Sequence, residues 1–238
     1  LVPDIAAGGR KAAEAVLAKV DPRAYAASRN HLDGAVTRLS PYIRHGVLSL
    51  DEVRNAALAS VADPKQAEKF IQELAWRDYW QRIYLAHPER VWTDVESYKT
   101  GFDAAEYDAE LPADIAAGET GVACIDQFIA TLVETGYLHN HARMYLASYT
   151  VHWRRVSWQA GARFFLEHLV DADPASNNLS WQWIASTFSN KPYIFNLENV
   201  AKYCGPDINT IPRHNLVLDQ SHERLSELLF PYMGGPHG

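Results

Sequence analysis

The chain has 238 residues, of which 47% are hydrophobic and 21% are charged, and its formal net charge is −7. This is ordinary globular composition, long enough for one large domain or two small ones. The acidic balance argues against a surface that is basic throughout, but it leaves room for a local nucleic-acid-binding patch. No apolar run reaches the roughly 18 residues of a membrane span, so none is predicted.

Cysteine usage indicates the compartment. Cys124 and Cys204 are the only cysteines and lack the spacing of a metal site, so we expect reduced thiols and a cytoplasmic protein. Two cysteines are also too few to ligate a cubane iron–sulfur cluster within one chain.

Helical periodicity dominates the chain. An amphipathic helix is predicted over residues 9–20, broken near Asp21 and Pro22, and a capping-box pattern at Ser49 and Glu52 begins a helix that reaches Ala59. Between residues 66 and 86, apolar and aromatic residues recur at steps of three and four. We expect further helices over 120–135, 139–155, 158–170, 178–188 and 221–229, loops over 88–119, and irregular structure over 189–220.

Strand signals are nearly absent from the sequence, and no Gly-rich dinucleotide fingerprint is present. The prediction is therefore an all-α chain, with residues 1–238 forming a single helical domain. Any dinucleotide would be bound without the Rossmann device.

Two early segments combine charge with polar or aromatic groups. Thr37-Arg38-Leu39-Ser40-Pro41 places hydroxyls, an arginine and exposed amides before a turn and helix, where a phosphate can bind; an ordinary Ser-Pro turn is the alternative. Glu73, Arg77 and Trp80 fall on one helical face, with Trp76 beside them. A surface Glu–Arg pair beside core aromatics is the alternative for this second segment.

The stretch 171–183 is the most informative part of the chain. It holds two carboxylates, two adjacent amides and two indoles, from Asp171, Asp173, Asn177, Asn178, Trp181 and Trp183. This mixture is costly to bury unless a polar, aromatic ligand is bound there, although a polar helix start with two core tryptophans is equally compatible. Earlier in the chain, His139 and His141 diverge on a helix, so no metal site is predicted.

Together these segments resemble the flavin-binding helical domain of the photolyase/cryptochrome family. The matching motifs are Thr-Arg-Leu-Ser-Pro, Glu-Leu-x-Trp-Arg-Asp, Thr-Gly-Tyr-Leu-His-Asn-x-x-Arg-Met and Asp-x-Asp-x-x-x-Asn-Asn-x-x-Trp-Gln-Trp, in family order between Tyr25 and Tyr203. The family's N-terminal α/β antenna domain has no room here. The resemblance implies an antenna-less member or the isolated flavin half of a longer one.

The resemblance implies FAD in a folded-back form. Arg143 would pair with Asp171, and Asn177 would face the flavin N5, where a neutral amide can accept from a protonated nitrogen. An asparagine at this position is typical of repair enzymes, whereas many photoreceptors carry another residue. The cofactor contacts carried over are Tyr25, Thr37, Arg38, Leu39, Ser40, Phe70, Arg77, Asn140, Arg143, Asp171, Asp173 and Asn177.

The implied reaction is light-driven splitting of cyclobutane pyrimidine dimers in DNA by an electron from reduced FAD. Trp76 and Trp183 would stack on the flipped dimer. Glu73 and Asn140 would bind the pyrimidine edges, and Met144 would pack against the lesion.

The resemblance also implies an electron relay to photo-oxidised flavin. Trp181 and Trp158 match its first two members, although Trp158 at a helix start is also compatible with a plain core residue. Its third tryptophan is missing near residues 104–106. Tyr107, Tyr98 or Trp92 are the candidate substitutes.

Departures from the family concern DNA contacts. His141 and Lys191 stand where basic phosphate-binding side chains are common, and a rim of Arg38, Arg154, Arg155 and Arg213 could compensate or remain solvated surface. With fewer phosphate contacts, we expect weak, salt-dependent duplex binding and a preference for single-stranded dimers. Two alternatives stay open: a cryptochrome-like blue-light or redox sensor, and a non-photochemical flavin or nucleic-acid binding module.

Overall fold

The computed structural model describes residues 7–233, and the regular secondary structure of that range is helical. The predicted all-α class is confirmed: these residues form no sheet, and one isolated parallel bridge joins Asp108 to Val156. The predicted domain 1–238 also includes residues 1–6 and 234–238, which lie outside the described range. Within that range, no helix has the length and apolarity to cross a membrane.

The α-helices of the described residues are α1 Arg10–Leu17, α2 Pro22–Ser28, α3 Ser40–Arg44, α4 Leu50–Ala59, α5 Glu68–Ala86, α6 Ala113–Ala117, α7 Ala123–Thr135, α8 Asn140–Ser148, α9 Trp158–His168, α10 Pro174–Ala185, α11 Leu197–Cys204 and α12 His222–Leu229. Short 3₁₀ segments lie at Pro64–Ala67, Pro88–Val91, Ala104–Glu106, Pro212–His214 and Leu216–Leu218, and a π-helical turn at Tyr149–Trp153 follows α8.

Several predicted boundaries were wrong, and capping residues explain most of them. The helix placed at 178–188 begins at Pro174 because the Asp173 side chain caps it. Asn196 likewise caps α11, in a region predicted to be irregular. The predicted break at Asp21 and Pro22 is present, because the Asp21 side chain caps the new helix α2, but α6 interrupts the predicted loop 88–119. The helix predicted over 139–155 changes to a π turn after Ser148.

Of three hydrophobic clusters among the described residues, two lie next to α5 and α10, and the third packs α12 through Leu225 and Leu229 against Ile194. The larger cluster lies among α7 to α10 and includes Trp158, Trp181 and Phe165. The smaller one joins the N-terminal helices to the start of α5 through Leu39 and Phe70. Helix α5 also packs along α10, so the charged and aromatic side chains of these two helices come together between the clusters.

A buried histidine predicts acid sensitivity. His152 is 1% exposed, its Nε2 contacts the Ile184 carbonyl at 2.9 Å, and burial lowers its pKa to about 3. The unfolded chain therefore binds a proton that the folded chain refuses between pH 6.5 and 3. The free energy of unfolding should fall by up to about 1.4 kcal/mol per pH unit as the pH drops through that window.

Urea unfolding at pH 7 and pH 5 measures this loss. In His152→Gln the amide still donates to the Ile184 carbonyl but does not titrate, so the difference between the two proteins isolates the histidine. Parallel pH profiles for both would contradict the prediction.

Candidate functional site

A buried ion pair joins α8 to the segment before α10. Asp171 is 5% exposed, and Arg143 Nη2 donates to both of its carboxylate oxygens at 3.0 Å. Arg143 is held in place because its Nε donates to the Leu138 carbonyl at 2.7 Å. Burial opposes ionisation of Asp171, but Arg143, the Ser40 hydroxyl and Arg77 outweigh it and hold its pKa below the ordinary value. The Arg143–Asp171 pairing expected from the resemblance is present.

Asp173 lies two residues further on and is also buried. Gln81 Nε2 donates to its two oxygens at 2.8 and 2.9 Å, and the Ser176 amide donates at 3.3 Å where Asp173 caps α10. Arg77 Nη1 lies 3.7 Å from the same carboxylate. Asp173 therefore has protein donors around it and ties α5 to α10, a role that the sequence did not indicate. Gln81, one helical turn after Arg77, was missed.

The arginines around these carboxylates outnumber them. Arg38 lies over the Tyr137 ring, 5.1 Å from its centroid, and Arg44 Nε donates to the Ala172 carbonyl. Neither arginine forms an ion pair with a carboxylate among residues 7–233. Burial lowers the pKa of Arg77, and the neighbouring cations Arg143 and Arg44 add to that effect. This excess of positive charge suits a phosphate-bearing ligand.

The segment 37–40 contributes backbone more than side chains. The Leu39 amide donates to Thr37 Oγ1 at 3.4 Å, and the Leu39 side chain is 2% exposed in the smaller cluster. Phe70 packs in the same cluster, edge-on to Tyr25 with 5.1 Å between ring centroids. Leu39 and Phe70, both predicted as cofactor contacts, thus pack in the smaller cluster. Burial raises the pKa of Tyr25 to about 12, so its hydroxyl stays protonated.

Asn177 presents one polar atom to a partner beyond the protein. Its Nδ2 donates to the Ala162 carbonyl at 3.1 Å and to Asn178 Oδ1 at 2.9 Å, which leaves its own Oδ1 as the atom able to accept. Trp181 Nε1 is buried without a hydrogen-bond partner among the described residues. Polar atoms are rarely left unpaired in native structures, so Asn177 Oδ1 suits a polar ligand.

Exposed aromatic rings lie on the two packed helices α5 and α10. Trp76 is 51% exposed and Trp183 is 42% exposed, unusual values for indoles. Trp76 stacks on Trp80 with 5.4 Å between ring centroids, and Trp183 lies 5.8 Å from Tyr193. These flat, accessible surfaces can stack on planar ligands.

Glu73 is not paired with Arg77. Its carboxylate lies 2.7 Å from Lys69 Nζ and 3.8 Å from Arg29 Nε, whereas Arg77 turns towards Asp173. The surface Glu73–Arg77 pair considered above is therefore excluded. Glu73 stays half-buried on the same helix as Trp76.

Asn140 and Met144 begin α8 together. Asn140 is exposed, and its Nδ2 lies 3.5 Å from Met144 Sδ. His139 caps the helix by accepting from the His141 amide at 3.1 Å, and burial lowers the pKa of His139 to about 4. The ring centroids of His139 and His141 are 5.9 Å apart. The described part of the chain gathers no set of three metal-type ligands. Lys191 is exposed in the loop after α10.

The two predicted relay tryptophans are buried on neighbouring helices. Trp158 is fully buried at the start of α9, and Trp181 on α10 is 3% exposed. Of the candidate substitutes for the missing third tryptophan, Tyr98 and Tyr107 stack with 4.2 Å between ring centroids. Trp92 is exposed, and the Arg163 guanidinium lies 5.1 Å from its centroid. A cation at that place disfavours removal of an electron from Trp92.

Gly161 lets the two helices approach. A Cβ built at this residue would come 2.2 Å from Trp181 Cη2, closer than real contacts allow. Gly161→Ala should therefore destabilise the chain by about 1–3 kcal/mol, because overpacking outweighs the better helix propensity of alanine. Thermal unfolding checks this, with Gly8→Ala as the control because its Cβ would meet nothing within 4 Å. A stabilised Gly161→Ala protein would contradict the packing described.

The predicted basic rim is largely engaged within the protein. Arg154 pairs with Asp114 at 2.7 Å, and the Arg155 guanidinium lies 3.8 Å from the Phe102 centroid. Arg213 Nε lies 3.2 Å from His214 Nε2. Arg38 faces Tyr137 inside the site. Few of these cations are therefore available for DNA phosphates.

Comparison with known proteins gives a consistent result. Residues 70–221 match the family model described as the FAD binding domain of DNA photolyase. The deoxyribodipyrimidine photo-lyase of Streptomyces griseus is 35% identical over 191 residues, which cover 79% of this chain and 41% of that protein. The chain thus spans about two fifths of the length of the curated relatives it matches.

Solved structures agree with the fold. An archaeal photolyase from Sulfolobus tokodaii, with two FAD molecules, superposes with a TM-score of 0.68 at 31% identity and covers 82% of this chain and 44% of its own. A class III photolyase from Agrobacterium tumefaciens gives a TM-score of 0.71 at 26% identity, covering 99% of this chain and 49% of its own.

Proposed function

Because this chain belongs to the family that contains the FAD binding domain of DNA photolyase, we propose that it binds FAD and repairs cyclobutane pyrimidine dimers in DNA with light. The proposal rests most on one arrangement: a cluster of arginines and carboxylates joins α8, α10 and α5, and the last two helices present accessible indoles.

The residues of this charged cluster fit FAD. Arg38 and Arg44, which lack carboxylate partners among residues 7–233, would neutralise the pyrophosphate. Both amide hydrogens of Asn177 already bind protein oxygens, so its Oδ1 would accept a hydrogen bond from the flavin ring. Because the amide is neutral, this contact would add no charge. Bound in its reduced state, FAD supplies the electron that light transfers to the dimer.

The protein's own part is to hold the lesion. Trp76 and Trp183 would stack on a dimer taken out of the base stack, at about 1–3 kcal/mol per base. Glu73, half-buried between Lys69 and Arg29, would bind the pyrimidine edges together with the exposed Asn140. Met144, beside Asn140, would pack against the lesion and help to exclude water.

A preference for single-stranded DNA is the finer part of the proposal. Removing a dimer from an intact duplex costs a few kcal/mol, which extra phosphate contacts normally offset. Here Arg154 and Arg155 are engaged with Asp114 and Phe102, and Lys191 is exposed in the loop after α10. This supports weak duplex binding with dimers in single strands as the better substrate.

A repair assay tests the proposal. The reduced, FAD-loaded protein is illuminated with dimer-containing oligothymidine, and recovery of the thymine absorbance band is followed. Recovery supports repair, whereas bound flavin without recovery supports a light or redox sensor and contradicts repair. Equal rates on duplex and single-stranded dimers at moderate salt would contradict the strand preference.

Glu73→Gln sharpens the assay. This change replaces the Glu73 carboxylate with a neutral amide. It should lower the repair rate about tenfold or more, as expected for a hydrogen bond to a charged group worth about 1.5–3 kcal/mol, while FAD stays bound. Glu68→Gln, an exposed glutamate at the start of the same helix, is the matched control and should repair normally. Equal rates for both variants would remove Glu73 from the lesion site.

A further inference from the structure

A buried indole donates to a carboxylate in the larger cluster. Trp158 is fully buried, and its Nε1 donates to Asp94 Oδ1 at 2.6 Å. Gln159 Nε2 lies 3.3 Å from the same oxygen, and Asp94 itself is half-buried. The indole of Trp153, by contrast, donates to the neutral carbonyl of Val217 at 3.1 Å. A carboxylate next to an indole stabilises positive charge on the ring and can also take its proton.

Trp181 has the opposite surroundings although it lies close to α9. Its ring packs directly on the backbone of Gly161, one turn after Trp158, and against Phe165 with 4.9 Å between centroids. Its Nε1 has no protein acceptor among the described residues. Of these two indoles, Trp158 is therefore the one on which an electron deficiency is stabilised.

We propose that Asp94 is a positioning residue that traps oxidised Trp158 by accepting its indole proton. The inference rests on the proposed function, because the oxidant is light-excited, oxidised FAD. Trp181 gives one electron to the flavin and takes one from Trp158. The Trp158 N–H bond then breaks, its proton moves along the existing hydrogen bond to Asp94 Oδ1, and a neutral indolyl radical and a carboxylic acid remain.

Trapping has a direct consequence for the flavin. An electron that has reached the cofactor returns easily to a cationic tryptophan, whereas return to the neutral radical also requires the proton to come back. Asp94 thereby lengthens the lifetime of the separated charges.

Asp94→Asn tests the inference in the full chain loaded with oxidised FAD. The asparagine oxygen still accepts from Trp158, so the contact persists, but an amide takes no proton at neutral pH. Transient absorption after a light flash distinguishes the cationic from the neutral tryptophan radical. We expect loss of the indole proton to slow about 10²-fold or more in Asp94→Asn, within the range for positioned proton acceptors. Asp94→Glu, which keeps a carboxylate, should restore part of the rate.

Two controls separate this inference from the proposed function. In a Trp158→Phe background, Asp94→Asn should change nothing further, since the proton donor is gone. When its FAD is reduced chemically, Asp94→Asn should repair dimers like the wild type, because repair from reduced FAD does not need the tryptophan relay. Unchanged radical kinetics in Asp94→Asn would overturn the role of Asp94 even if repair is intact, whereas absent repair in both proteins would overturn the proposed function alone.

Discussion

Asp171→Asn is expected to abolish FAD binding and to lower the free energy of unfolding by about 3–5 kcal/mol, the usual cost of breaking a buried ion pair. The substitution leaves the partly buried Arg143 charged and without its carboxylate partner. It also releases Arg77 and the Ser40 hydroxyl, which both act on the same carboxylate. Asp171 therefore supports both the proposed FAD site and the stability of the fold.

Asp114→Asn is the matched control. It removes the carboxylate from another Asp–Arg pair, Asp114 with Arg154, whose side chains are 39% and 27% exposed against 4% and 24% for Asp171 and Arg143. Exposed pairs contribute about 0.2–1 kcal/mol, so the control should lose little stability and keep FAD. Urea unfolding of the flavin-free proteins and flavin absorbance after gel filtration measure the two effects. Similar losses in both variants would show that burial of the Asp171 pair is not the deciding factor.

The sequence predicted the class of fold because helical periodicity and capping residues are local signals. The capping box of Ser49 and Glu52 forms as expected, with the Ser49 amide donating to Glu52 at 2.8 Å. The start of α10 was misplaced even though Asp173 and Pro174 are a helix-start pair, because Asp173 was assigned to the cofactor instead.

Partners distant in the chain could not be predicted in the same way. Gln81 and Asp173 are 92 residues apart, and Asp94 and Trp158 are 64 residues apart. Nothing in either local segment indicates that the two would meet. Conversely, the spacing of Glu73 and Arg77 predicts a pair on one helix face, but the buried Asp173 attracts Arg77 more strongly than a half-exposed neighbour. Tertiary burial outweighs the local rule at this position.

Removing either exposed indole of the α5–α10 pair should weaken binding of a dimer-containing single strand about 5- to 150-fold. Trp76→Ala and Trp183→Ala each remove a stacking surface worth about 1–3 kcal/mol, and 1.4 kcal/mol is a tenfold change in Kd. Because both rings are about half exposed, their loss should change stability and FAD content far less than Asp171→Asn. Fluorescence anisotropy with damaged and undamaged oligothymidine measures the effect.

Trp92→Ala is the control for a general loss of aromatic surface. Trp92 is 39% exposed, close to the 42% of Trp183, but it belongs to neither α5 nor α10 and its ring lies against Arg163 of α9. Stacking on the lesion predicts that Trp76→Ala and Trp183→Ala lose affinity for damaged DNA selectively while Trp92→Ala does not. If all three lose affinity equally for damaged and undamaged strands, the indoles bind DNA only as nonspecific apolar surface, and the lesion is held elsewhere.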